Sequence, residues 1–318
     1  MGLGGLYNKV ASVSPHLEVL LRRVYWSNVK RLSKYKPYGS GIENAAKEMP
    51  ALDFEEVLKY LKEKGVGEGA LLIVHSSYDM LTGTGLKPQE IIVKLRELIG
   101  ESGTLAMPAI RIFKNEPEGA DLLTTDTTGL VCEYDVKRTP VQSGLLPFTL
   151  MRMKHSHISH FPYNPLVAIG PLAEEMMAHN LDGDKPSAHG KNSSWKFCMD
   201  HDAIIVGLGI ELVHHNTMAH VMEEAYDGWR WSDDEWYRDR IFDIIDENKE
   251  KTRVTIRERK PIWGTMRIAE LNKGKKLYKN HIIEKKYFGE VPVCVERAQA
   301  LRDYLQSINK NGFPYYKF

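Results

Sequence analysis

Cysteine is scarce in this chain: Cys132, Cys198 and Cys294 are its only three, far apart and without a C-x-x-C pair. That spacing excludes a disulfide framework and a cysteine-built zinc site, and it suits a reducing compartment. No apolar run approaches the roughly 20 residues that span a bilayer, and the opening MGLGGLYNKV lacks an apolar signal core, so a cytoplasmic protein is expected. Charge of one sign is missing as well, with 43 Lys and Arg against 42 Asp and Glu. A net charge of +1 argues against nucleic acid as a partner, because phosphates call for a strongly basic face. Repeats, low-complexity tracts and an H-E-x-x-H pattern are all absent.

What remains is ordinary globular material, 318 residues with 42% hydrophobic and 27% charged. Residues 1–50 stand apart. There Leu17, Leu20, Leu21, Val24, Val29 and Leu32 are interleaved with Arg22, Arg23, Lys30, Arg31, Lys34 and Lys36, the pattern of a basic amphipathic helical extension. Such a helix packs on its own domain or on a second copy in a homodimer; the alternative is peripheral contact with an anionic membrane. Residues 51–318 form the main domain. Asp53 caps a helix running to Lys64, with Glu56 at the capping-box position. Apolar runs over residues 70–75, 103–107 and 202–207 are buried strands, and a helix runs from Pro88 to Ile99. The expectation is an α/β fold, a largely parallel sheet covered by helices. An inserted antiparallel β region from Val254 to Pro292 comes before a last helix from Val293 to Ile308.

The most informative stretch is GLGIELVHHNTMAHVMEEAYD, residues 207–227. Asn216 can cap a helix, which places Thr217, His220 and Glu223 at steps of three on one face. A histidine with a carboxylate one turn away is a workable general base: the carboxylate orients the ring and stabilises the imidazolium. Spacing alone is equally met by a polar helix face with an incidental pair.

In this context Asn216-Thr217-Met218-Ala219-His220-Val221-Met222-Glu223 resembles the N-T-x-x-H-x-x-E hallmark of the aminoglycoside 3-N-acetyltransferases. The similarity extends in order over Val74-His75-Ser76-Ser77, residues 103–108, Tyr134-Asp135, Thr139-Pro140, Ser143-Gly144, residues 168–173 and Ser193-Ser194-Trp195. The resemblance implies acyl-coenzyme A (acetyl or longer) as co-substrate and no metal. It also implies direct attack of an amine on the thioester, with His220 as base and Glu223 as its orienting partner. His75, Ser76 and Ser77 are expected at the acyl-coenzyme A end, where the serine hydroxyls and N–H groups meet the thioester oxygen. Gly83 and Gly85 are expected in a loop suited to a pyrophosphate, and Thr139, Ser143 and Gly144 beside the pantetheine arm. Tyr134, Asp135, Asn216 and Thr217 are expected on the acceptor side.

The pattern is broken at His160-Phe161, where the family has a histidine in place of Phe161, and at Val136, where it has proline. Both breaks fall near the acceptor. Histidines at 155, 157, 160, 214, 215 and 220 raise a metal site as a competing reading. Trp229, Trp231, Trp236 and Tyr237 among carboxylates could form a sugar-binding wall. A non-catalytic binding module is the reading from a different class. For the acceptor, the balanced charge favours a nucleotide-linked amino sugar such as a dTDP-3-amino-3,6-dideoxyhexose, its pyrophosphate met by Arg230 and Arg267. The alternative acceptor is an aminoglycoside.

Overall fold

A computed structural model describes residues 10, 12–28, 49–117, 125–229, 236–261 and 267–309. Arg230, Trp231, the side chain of Arg267 and most of the basic half of the N-terminal extension lie outside the described residues.

Helix α1 (Pro15–Ser27) is followed by α2 (Phe54–Glu63), which begins where the Asp53 side chain accepts from the Glu55 N–H. The chain then alternates between sheet and helix. Strand β1 (Leu71–Ser76), the short α3 (Tyr78–Leu81), α4 (Pro88–Ile99), β2 (Thr104–Pro108), β3 (Val131–Asp135) and α5 (Leu145–Leu150) come first. Next are β4 (His157–Ile158), β5 (Leu166–Ile169), α6 (Ala173–Ala178), α7 (Ser194–Asp200), β6 (Ile204–Leu208) and α8 (Ala219–Ala225). The chain closes with β7 (Tyr237–Ile245), β8 (Lys251–Arg259), α9 (Arg267–Lys279), β9 (Ile283–Phe288), β10 (Val291–Arg297) and α10 (Ala298–Ile308).

Seven strands form the main sheet in the order β4-β5-β2-β1-β6-β10-β9. Its centre, β2-β1-β6, is parallel, whereas the outer strands pair antiparallel. A separate sheet holds β3, β7 and β8, with β7 and β8 antiparallel over nine residue pairs and β3 parallel to β7. The α/β architecture is as expected, and the antiparallel insert begins earlier, at Tyr237. One expectation fails outright. Residues 293–297 are strand β10, not the start of a helix; the last helix begins at Ala298.

The central strands are buried on both faces, which is why they read as continuous apolar runs rather than alternating ones. Leu72 and Val74 of β1 enter one core with Phe54, Leu61, Ile91 and Leu95. Leu71 and Ile73 enter the other, with Trp195, Met218, Met222 and Leu301. Period-two geometry then turns His75 toward this second core, the side on which α8 packs.

Candidate active site

The segment after β6 leaves the sheet at Gly209, whose φ of +72° is left-handed. Any side chain there would press to 2.7 Å from Met80 Cβ and 3.0 Å from the Ser77 carbonyl, so this turn requires glycine. Asn216 then starts α8. Its Oδ1 accepts from the Ala219 N–H at 3.2 Å, while its Nδ2 donates to the Glu296 carboxyl at 3.0 and 3.1 Å. Met218, Ala219, Val221, Met222 and Ala225 bury the inward face of the helix. His220 and Glu223 share the remaining face, and Thr217 lies in the turn just before the helix.

His220 Nδ1 lies 2.7 Å from Glu223 Oε2, and Arg259 at the end of β8 lies 2.5 Å from the same oxygen through Nη2. Arg259 Nη1 is also 3.2 Å from His220 Nδ1. One ring nitrogen cannot donate and accept at once. The shorter, charge-assisted contact assigns the proton to Nδ1, donating to Glu223. Nε2 therefore keeps its lone pair, and it has no partner among the described residues. The ring stays 28% exposed while Glu223 is buried at 1%. Burial pushes the His220 pKa down; Glu223 pulls it back and Arg259 lowers it again, leaving it at about 4. For Glu223, burial opposes ionisation, but Arg259 and His220 outweigh it and hold the carboxyl well below the usual range. At neutral pH the pair is thus a neutral imidazole on an ionised carboxylate, the resting state of a general base.

A second pair lies beside it. His189 Nδ1 is 3.1 Å from Glu224 Oε1, and the His189 N–H donates to Oε2 at 3.1 Å. Both side chains are almost fully buried, and the His189 and His220 rings are 5.3 Å apart. Arg259 reaches Glu224 as well, at 3.6 Å. The loop carrying His189 is held on β8, where the Arg257 N–H donates to the Pro186 carbonyl at 2.8 Å. Trp195, whose Nε1 donates to the Asn164 carbonyl, sits between His189 and His75, its ring 6.2 and 6.1 Å from theirs.

His75 is 7% exposed and its Nε2 is buried with no hydrogen-bond partner. Burial, helped by His215, pushes its pKa to about 3, so the ring is neutral. The Ser76 and Ser77 hydroxyls follow at the carboxyl end of β1 and have no partner among the described residues. The Ser77 N–H, however, donates to the Leu208 carbonyl at 2.9 Å. It is committed to the sheet and cannot meet a thioester oxygen, contrary to expectation.

Other expected site residues make hydrogen bonds within the protein. Tyr134 is fully buried, its hydroxyl donating to the Ser159 carbonyl and its ring packed on Phe113; burial raises its pKa to about 12. Asp135 caps its own turn by accepting from the Lys137 and Arg138 N–H groups. Asn216 is tied to Glu296 through its Nδ2. Thr139 Oγ1 accepts from the Asp135 N–H, and Ser143 Oγ bridges the Pro108 carbonyl and the Ile110 N–H. These bonds tie residues 135–143 to the end of β2, and Gly144 beyond them opens on empty space at φ +109°. Gly83 and Gly85 form a 3-10 turn whose threonine hydroxyls bond within the loop, and the Glu90 carboxylate already accepts from the Lys87 N–H at the start of α4. The Thr217 hydroxyl has no partner among the described residues.

His160 pairs with Glu247, and Phe161 is buried in the core. Trp229, Trp236 and Tyr237 are core residues, not a wall. Among the described residues no three His, Cys, Asp or Glu side chains form a metal-holding group, and no helix is long and apolar enough to cross a membrane. His189, Glu224 and Arg259 were missed. Glu224, four residues after His220, carried a local signal; Arg259 had none, lying 39 residues away.

Comparison with known proteins gives a consistent picture. The family model described as aminoglycoside 3-N-acetyltransferase matches residues 73–309. An aminoglycoside N(3)-acetyltransferase IV from Salmonella sp is 26% identical over 170 residues, 53% of this chain. That alignment spans 57% of the relative's own length. Two solved structures share the fold. AAC-IIIb in a binary complex with CoASH aligns with a TM-score of 0.59 at 20% identity, over 80% of this chain and 96% of that one. A mutant AAC(3)-IVa in complex with apramycin gives 0.57 at 20% identity, over 83% and 95%.

Proposed function

Because the chain belongs to the aminoglycoside 3-N-acetyltransferase family, we propose that it transfers an acyl group from acyl-coenzyme A to an amine of an aminoglycoside-type acceptor. The observation that carries this reading is the His220–Glu223 pair, with Nε2 unoccupied and the ring held neutral. An ammonium ion has no lone pair, so the acceptor attacks as the neutral amine, one proton having gone to solvent, and its nitrogen must lose a second proton as the amide forms. His220 Nε2 takes it, and the Nδ1–H bond to Glu223 strengthens as the ring becomes cationic. When bound, acyl-coenzyme A supplies the thioester carbonyl as electrophile and the coenzyme A sulfur as leaving group. The residues present suit it. Unpartnered hydroxyls on Ser76 and Ser77 and the orphaned His75 nitrogen gather at the carboxyl end of a central parallel strand, where open α/β sheets bind ligands. His220 then holds the proton for the departing sulfur.

The preference for a nucleotide-linked sugar is reversed. The family model and the Salmonella relative both name aminoglycosides, and neither supports a nucleotide sugar. The test is release of coenzyme A thiol, with product mass, for apramycin and gentamicin beside a dTDP-linked amino sugar and its free form. Acetylated aminoglycoside is the expected product. Turnover of the nucleotide sugar alone would restore the other acceptor, and turnover of none, with coenzyme A still bound, would favour a binding module.

A further inference from the structure

The reaction derived above leaves Arg259, Glu224 and His189 without a role, yet all three lie against the base. A guanidinium 3.2 Å from Nδ1 would by itself oppose protonation of His220 and compete for the nitrogen that must carry the proton. Two carboxylates face that single guanidinium, Glu223 at 2.5 Å and Glu224 at 3.6 Å. Glu223, Glu224 and Arg259 together carry one net negative charge, which a protonated His220 would cancel. His189 fixes Glu224 through two bonds, one from its ring and one from its backbone. Lys273 of α9 adds a more distant positive charge, and Tyr237 of β7, kept neutral by burial, closes the corner.

We propose that Arg259 and Glu224 are positioning residues for the base. Arg259 clamps the Glu223 carboxylate so that His220 keeps its Nδ1–H tautomer. Glu224, locked by His189, supplies the second negative charge that balances the imidazolium. The inference rests on acyl transfer for what the base does, but the titrations that decide it need neither donor nor acceptor.

Isotope-labelled histidine NMR follows the titration of His220 directly, with His220→Asn assigning the signal. Arg259→Met removes a cation beside the ring, so the His220 titration should rise by about 1 unit or more, and Glu224→Gln removes an anion, so it should fall. Arg259→Lys keeps the charge but not the two-pronged contact; the titration should stay near wild type while acyl transfer drops. Shifts of opposite sign support the proposal, because a purely structural role moves neither. Unchanged titrations, or shifts of the same sign, overturn it. Should Arg259→Met fail to fold, the near-isosteric Glu224→Gln decides alone: a fall supports the proposal, no change or a rise overturns it.

Discussion

Glu223 and His75 differ in kind although both are buried. Glu223 acts through His220, raising the imidazole pKa against burial. Replacing it with Gln removes that support, so the His220 pKa falls further, the ring stays neutral to lower pH, and the acidic limb of kcat/KM moves down. Turnover should fall as well, because nothing then fixes the Nδ1–H tautomer. An unchanged pH–rate profile and rate would remove Glu223 from the site. His75, in contrast, holds a buried nitrogen without a partner, which costs stability wherever nothing bonds to it. His75→Leu should therefore melt no lower than wild type while acyl transfer falls, by about 10²-fold if the ring donates to the thioester oxygen. A lower Tm with unimpaired turnover would make it an ordinary core histidine.

At this scale His220 and Glu223 were legible because their relation is local, one turn of one helix. Tyr134, Asp135 and Asn216 were legible as a pattern, but their bonds to Ser159, to Lys137 and Arg138, and to Glu296 were not. A motif does not say which side chain faces a cleft and which anchors the scaffold. Arg259 was illegible because β8 and α8 meet only through the tertiary fold.

Elements are positioned by less visible devices. The run VPVCVER (residues 291–297) is apolar enough to be read as the start of a helix, since a short apolar stretch does not reveal its period. Pairing with β6 and β9 makes it a strand, and that choice delivers Glu296 to Asn216 at the start of α8. Burial raises the Glu296 pKa to about 8, against the lowering effects of Asn216 and Lys273. A folded pKa above the unfolded one means this carboxyl favours the folded state most below the unfolded value, about 4.5. The contribution is lost as pH rises toward 8. Glu296→Gln has no such proton to lose, so thermal melts at pH 5, 7 and 9 should show wild type losing more stability on the alkaline side than the variant. Parallel curves would mean that Glu296 does not titrate in this range.

At the scale of the molecule, the parallel centre β2-β1-β6 places the ends of β1 and β6 side by side, with Ser76 paired to Leu208. One end carries the hydroxyls suited to a thioester, and the other leads into the helix of the base. The second sheet completes the site from outside by bringing Arg259 across on β8. The α/β character and the buried strands were legible in continuous apolar runs. The strand order was not, because long-range pairing leaves no local trace. Helix α1 shows the same limit: Glu18 and Val19 are buried while Leu20 and Val24 are exposed, a division its alternating charge and apolar residues could not assign.

The central claim is that His220 is the base for acyl transfer to an amine, and turnover of His220→Asn with an aminoglycoside and acetyl-coenzyme A tests it most directly. The account predicts a kcat lower by about 10²–10⁴-fold, with the Kd for coenzyme A unchanged, because the imidazole acts on the amine. A variant that turns over like wild type, or one that loses coenzyme A affinity while kcat holds, would contradict it.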